Sequence, residues 1–291
     1  MTPRFDPRLY QIAVLSGLLV YGWAWLGFDV TPARAALLIT TCLATQYTWS
    51  LLRTLPAFDA RSALISALSL CLLFRANDPL FAVASAAVAV SSKFLCRIHG
   101  KHVFNPTNIG LAVMLLASDA VWVSPGQWGN PAWFAFLMAC LGSLVVTRAA
   151  RADVTVAFLF VYAALIAGRS FWLGEPAAIP MHRLQSGALL LFAFFMISDP
   201  KTTPDSRAGR VLFASLVATG AWYVQFRLFR TNGLLWSLAC CSLLVPVIDR
   251  WLPGPRYTWP GRTPLLPKDV SHATMVVPHA VHSGPASVLA G

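Results

Sequence analysis

The chain is a succession of apolar runs separated by short polar punctuation. Ten runs stand out, at about Leu9–Phe28, Ala33–Leu52, Ser62–Phe74, Leu80–Ser92, Phe104–Ala117, Pro131–Thr147, Val154–Gly168, Ser186–Ser198, Val211–Phe226 and Leu234–Ile248. They predict an all-α integral membrane protein of about ten transmembrane helices within residues 1–250. Several runs fall short of the roughly 20 residues that a straight crossing needs. Such short segments are tolerated where their backbone is buried in protein or lines a watery cavity. From Trp251 onward the chain turns to Pro, Gly, Ser and His without a period. Residues 251–291 therefore read as a disordered cytoplasmic tail.

Composition agrees with the pattern. The 291 residues are 57% hydrophobic and only 11% charged, against about 25% charged in a soluble domain. The net charge of +11 does not mark a nucleic-acid partner, because the basic residues stand singly or in pairs at the ends of apolar runs. That is a topology signal. The N-terminal segment, the even-numbered loops and the C-terminal tail carry 16 of the 22 Lys and Arg, and the odd-numbered loops carry 6. The bias places both termini in the cytoplasm, in a multi-pass inner (cytoplasmic) membrane protein whose first partner is the lipid bilayer. The first run has no small-residue cleavage site and reads as a retained helix. Five of the six cysteines fall inside apolar runs and none forms a CxxC pair, so they read as packing residues.

Ten runs divide as five plus five, giving repeats at about 9–117 and 131–250. The third run of the first half, "SALISALSLCLLF", is followed by "RANDP"; that of the second, "SGALLLFAFFMIS", is followed by "DPKTTP". Both reach an Asp-Pro, at Asp78-Pro79 and Asp199-Pro200. With five spans per half the copies are inverted, and short broken segments at equivalent places point to a site near the midplane. Proline cannot donate a backbone hydrogen bond and forces its predecessor out of the helical region. Free carbonyls with Asp and hydroxyl groups beside them suit an ion or polar substrate, which nominates Asn77, Asp78, Asp199, Lys201, Thr202 and Thr203. Lys201 is the nearest partner for Asp199. A plain loop capping two helices at the water interface would also account for these residues.

A second polar break is "GKHVFNPTNIG", Gly100 to Gly110. Asn105 suits a cap and Pro106 the first helical position. Free amides of that turn could take an anion or phosphate, which nominates Lys101, His102, Asn105, Thr107 and Asn108 as a cofactor-binding group; capping plus a topology signal is the simpler account. Between the fifth and sixth runs, "DAVWVSPGQWGNPAW" holds three tryptophans and no Lys or Arg. It reads as an aromatic belt, or as a platform for a flat ring.

"KHVFNPTNIGLAV" and "SGALLLFAFFMISDPKTTP" together resemble the RnfD/NqrB family of membrane subunits from ion-translocating electron-transport complexes. "SPGQWG" is closer to stand-alone members. The resemblance covers about residues 9–250. It implies ten helices in two inverted repeats, electron transport coupled to Na⁺ or H⁺ movement, flavin, and other subunits of a complex as partners. In that family a covalent FMN hangs on the threonine of Ser-Gly-Ala-Thr. Here Ser186-Gly187-Ala188 is followed by Leu189, so no covalent FMN is expected. A non-covalent flavin (FMN or riboflavin) or a quinone stays open.

The residues argue against other cofactors. No GxGxxG opens a strand–helix unit. All six histidines lie outside the runs, which disfavours haem, and the scattered cysteines disfavour an iron–sulfur cluster within this chain. Two further readings compete with the electron-transport subunit. One is a small-solute or ion transporter or channel without redox chemistry. The other is a membrane anchor for partner proteins.

Overall fold

The computed structural model describes residues 6–55, 57–124 and 131–258. Most of the proposed tail, and most of the "SPGQWG" segment, lie outside them. Helices begin where the sequence supplies an acceptor followed by proline. Asp6, Thr31, Asp78 and Asn105 each cap with their side chain a helix whose first residue is Pro, satisfying donors that the first turn leaves free. They start α1 (Pro7–Trp25), α2 (Pro32–Leu52), α4 (Pro79–Leu95) and α5 (Pro106–Ala117). Between α2 and α4 lie α3 (Ala60–Leu73) and the strand β1 (Phe74–Ala76). A two-residue hairpin, β2 (Arg97–Ile98) and β3 (Lys101–His102), joins α4 to α5.

The second half follows β4 (Val121–Val123), which pairs antiparallel with β1. It comprises α6 (Pro131–Arg148), α7 (Ala152–Leu173), the short α8 (Ala178–Leu184) and α9 (Gly187–Leu191). Next come a π-helical turn over Phe192–Met196, α10 (Arg207–Phe226), α11 (Gly233–Ser242) and α12 (Val245–Trp251). Each of the ten expected runs thus contains helix. By length and composition, α2 and α7 are apolar and long enough to cross a membrane, and α11 with α12, bent by 51°, makes a third if taken as one span. Those are the spans that the described residues support by this measure.

Packing repeats from half to half. In the first, α1 packs on α3, α2 on α4 and α4 on α5. In the second, α6 packs on α9 and the π turn, α7 on α10 and α10 on α11. Small residues allow the close pairs. A methyl group added at Gly110 of α5 would sit 2.8 Å from Ala89 Cβ and from the Ser85 carbonyl of α4. Such contact is how helices associate where lipid removes the hydrophobic drive between them. The halves meet where α5 packs on α11 and α1 on α6.

Segments assigned to one side of the bilayer meet at one end of the molecule. Arg8 pairs with Asp59 at 2.8 Å, Arg61 with Asp6 at 2.9 Å, and Arg210 with Asp153 at 2.6 Å. Lys101 pairs with Asp205 at 3.0 Å and with Asp249 at 2.7 Å. The opposite end gathers Arg34, which donates to the Ala76 carbonyl at 2.7 Å. It also holds Arg169 and Arg183, both stacked on Phe226.

The two Asp-Pro pairs match in sequence but not in structure. Asp78-Pro79 starts a helix, whereas Asp199-Pro200 lies in the loop between the π turn and α10.

Candidate functional site

The broken helix spans only Gly187–Met196, about 15 Å. π turns are rare and recur at functional sites. This one widens where Ile197 N–H donates to the Phe192 carbonyl. Several of the carbonyls expected to be free have a partner. Thr155 Oγ1 donates to Ala193 O at 2.8 Å, Ser198 Oγ to Phe194 O at 2.6 Å, and Asn105 Nδ2 to Met196 O at 3.2 Å. The Asp199 carbonyl accepts from Thr202 N and Thr203 N, both at 3.1 Å. The break is therefore closed in part by the side chains of Asn105, the cap of α5, and of Thr155 in α7.

Asp199 sits at the junction of the halves. Its Oδ1 accepts from Lys201 N at 3.0 Å, and its Oδ2 faces Asn105 Nδ2 at 3.5 Å. The residue is only partly covered, but its carboxylate points inward. Burial pushes that carboxyl above its usual range, against the opposing pull of the Lys201 N–H and the charges of Lys93, Lys201 and Arg151. Thr202 and Thr203 are buried, and Thr203 Oγ1 accepts from Arg151 Nε at 3.1 Å. Lys201 turns its ammonium to the Tyr257 carbonyl at 3.1 Å. Asp199, Lys201, Thr202 and Thr203 are thus together, as the sequence suggested.

Asn77 and Asp78 are elsewhere. Both are exposed, and Asp78 Oδ1 accepts from Leu80 N at 2.7 Å as a helix cap. They stand at the start of α4, about 25 Å along its axis from the end that carries Lys93. The single chamber shared by both aspartates is not what forms, because Pro79 converts the first Asp-Pro into a helix start.

The group nominated for an anionic cofactor is largely committed inside the protein. Lys101 serves two carboxylates. Asn105 caps Asn108 N at 3.0 Å while holding Met196 and Asp199. Asn108 Nδ2 donates to Leu235 O at 3.2 Å, which ties α5 to α11. Thr107 is buried. His102 Nδ1 and Asn108 Oδ1 are buried without a hydrogen-bond partner. Burial, and then the Arg97 and Lys93 charges, push His102 down to about 3, so it is neutral at pH 7.

A cavity of about 530 Å³ opens at the opposite end, between the halves. Leu73, Val123 and Ser124 form its first-half wall; Phe192 and Met196 of the π turn face it, with Arg169, Arg183, Gln225 and Arg230 around it. None of the five nominated cofactor residues lines it. Arg169 also pairs with Glu175 at 2.7 Å, and Gln225 accepts from Tyr162 OH at 2.8 Å. Met196 therefore belongs to both regions: it lines the cavity and its carbonyl takes Asn105. Sequence reasoning missed the cavity, although one signal was present. Every basic residue of the odd-numbered loops is Arg and none is Lys. It also missed Lys93, whose Nζ donates to Ser62 O at 2.8 Å and Ser62 Oγ at 3.0 Å, despite the oddity of a lysine among "AVSSKFL".

Fold and site define a class: a helical, apolar protein in two similarly packed halves, with a polar junction on one side and an arginine-rimmed cavity on the other. Comparison with known proteins points to a family. The model for the NQR2, RnfD, RnfE family matches residues 118–257, a little under half of the chain, and the chain is similar to that family over this stretch, which holds the motif "SGALLLFAFFMISDPKTTP". Among curated proteins it is similar to the D subunit of the ion-translocating oxidoreductase complex of Salmonella paratyphi B and of Salmonella newport. Each is 31% identical over 127 residues, 42% of this chain and 34% of the relative. The chain thus matches about a third of the length of these curated relatives.

Proposed function

We propose that the chain is a membrane subunit of an ion-translocating electron-transport complex. In this reading it works in the inner membrane with both termini cytoplasmic, its halves are inverted repeats, and it has other subunits as partners. The observation that carries the reading is the arrangement about Met196. A cavity large enough for a small cofactor and a buried, partly screened carboxylate share that one residue from opposite sides. The family's relatives, named as subunits of an ion-translocating oxidoreductase complex, support the pairing of the two tasks.

The cavity residues fit a non-covalent flavin or quinone. Phe192 and Phe229 offer ring faces, Gln225 a polar contact, and Arg183 and Arg230 charge for a phosphate or a ring carbonyl. A bound flavin would supply one-electron transfer; the chain's own part is to hold it, exclude water and place it against the π turn. On the other side, Asp199 with the Thr202 and Thr203 region would receive the cation, and Asn105 would keep the carboxylate turned inward. The competing transporter or channel shares the Asp199 half of this account but does not call for a charged rim at the cavity beyond the Arg169–Glu175 pair.

The test is titration of the purified protein in detergent with FMN, riboflavin and a short-chain quinone, followed by flavin fluorescence and quinone absorbance. Binding by one of them should weaken at least tenfold in Arg183→Ala or Arg230→Ala. Failure of all three to bind, with solute or ion uptake into vesicles retained, would favour the transporter.

A further inference from the structure

After α12 the chain does not leave the molecule. "LPGPRYT", Leu252 to Thr258, lies extended across the end that carries Asp199, and it touches loops of both halves. Pro253 and Pro255 hold the backbone extended. Between them Gly254 lies flat on the loop before α10, where an added methyl group would stand 2.6 Å from Ser206 N and 2.8 Å from the Asp205 carbonyl carbon. Only glycine fits there without displacing backbone. Arg256 Nη2 donates to the His99 carbonyl in the β2–β3 hairpin. Tyr257 then turns inward. Its ring lies under the Arg151 guanidinium at 4.7 Å, and its carbonyl takes Lys201 Nζ at 3.1 Å. It is close enough to sense the charges of Arg151, Asp6 and Asp199.

The burial pattern gives this path a meaning. Residues 253–256 and Thr258 are exposed, and Tyr257 alone among them is partly buried. Beneath it, Arg151 is 4% exposed and Thr203 0%. Arg151 is a buried cation whose hydrogen bonds go to Thr203 Oγ1 and to the Ala150 carbonyl, with an aromatic face as its cover. The strap is held to the surface by the Gly254 contact, by hydrogen bonds from Arg256 and Lys201, and by one inserted ring.

We propose that Leu252–Thr258 is a lid over the Asp199 junction, latched by Tyr257, and that lifting it admits water and small solutes to Thr203 and Asp199 from this end. Its use in ion movement rests on the function proposed above, but the lid itself does not.

The test reads accessibility and needs no flavin, ion or partner. Thr203→Cys places a thiol under the lid, and its reaction with a water-soluble maleimide is followed by peptide mass mapping in the detergent-solubilised protein. A cysteine placed at the exposed Arg207 (Arg207→Cys) and the buried Cys71 serve as references. With the lid intact, labelling at position 203 should be at least tenfold slower than at position 207. Adding Tyr257→Ala should accelerate it at least tenfold, and adding Arg256→Ala should accelerate it less. Unchanged labelling at 203 in both alanine variants overturns the proposal. So does acceleration by the same factor at Cys71, which would mean general loosening.

Discussion

Asn105→Asp is the sharpest probe of the junction. Asp caps a helix as well as Asn, so the bond to Asn108 N at 3.0 Å survives. What changes is the other side of the group, where an amide donor becomes a carboxyl oxygen. The buried Met196 carbonyl loses its donor at 3.2 Å, at a cost of about 1–3 kcal/mol. The new oxygen also faces Asp199 Oδ2 at the former 3.5 Å contact. Two full charges at that distance repel by about 5 kcal/mol at an effective dielectric of 20, so one carboxyl of the pair holds its proton to a higher pH than it would alone. The balance is a loss of about 2–3 kcal/mol at pH 8. At pH 5 more of the pair is protonated, a donor returns, and the loss should fall by about half. The assay is thermal or denaturant unfolding of the detergent-solubilised protein, followed by tryptophan fluorescence at both pH values beside Asn105→Ala. A variant as stable as the parent at pH 8, or a loss equal at the two pH values, would refute the reasoning.

Two further changes test the surrounding charges. His102 is held neutral with its folded pKa pushed down to about 3, below the unfolded value near 6.5. Its contribution is therefore full above pH 6.5 and lost as pH falls toward 3; between pH 7 and 5 about 2 kcal/mol should go, and His102→Gln should remove that part of the pH dependence in unfolding curves. Lys101→Met leaves Asp205 and Asp249, each partly exposed, with one another as neighbours; a loss of about 2 kcal/mol is expected near pH 7, smaller at pH 4, and equal losses at the two pH values would count against the pairing.

The helices were legible because their signals are local. Acceptor-proline starts and apolar runs need no tertiary information, and all ten runs contain helix. The second Asp-Pro was also legible, since a polar loop after a ten-residue apolar helix has few places to go. The equivalence of Asp78 and Asp199 was misleading because an Asp-Pro pair specifies only a turn of the backbone. Whether a helix ends before it or begins after it depends on the residues next in the chain: "LFAVASAAVAV" continues as helix, whereas "KTTPDS" cannot. The partners of the freed carbonyls, Thr155 and Asn105, were hidden by distance, lying 38 and 91 positions from the groups they satisfy. The lid was hidden by composition, since a Pro- and Gly-rich stretch looks the same whether it hangs free or lies in a fitted groove.

The shortness of the broken helix has an electrical consequence. If water fills the cavity on one side and reaches the junction on the other, both are near the potential of their own bulk phase. Most of the membrane voltage then falls across the thin layer around Met196 rather than over about 30 Å of hydrocarbon. A charge stepping across that layer would gain or lose close to the full 2.3 kcal/mol or so per 100 mV within a displacement of a few ångströms, so residues around Met196 should dominate any voltage dependence that the protein displays.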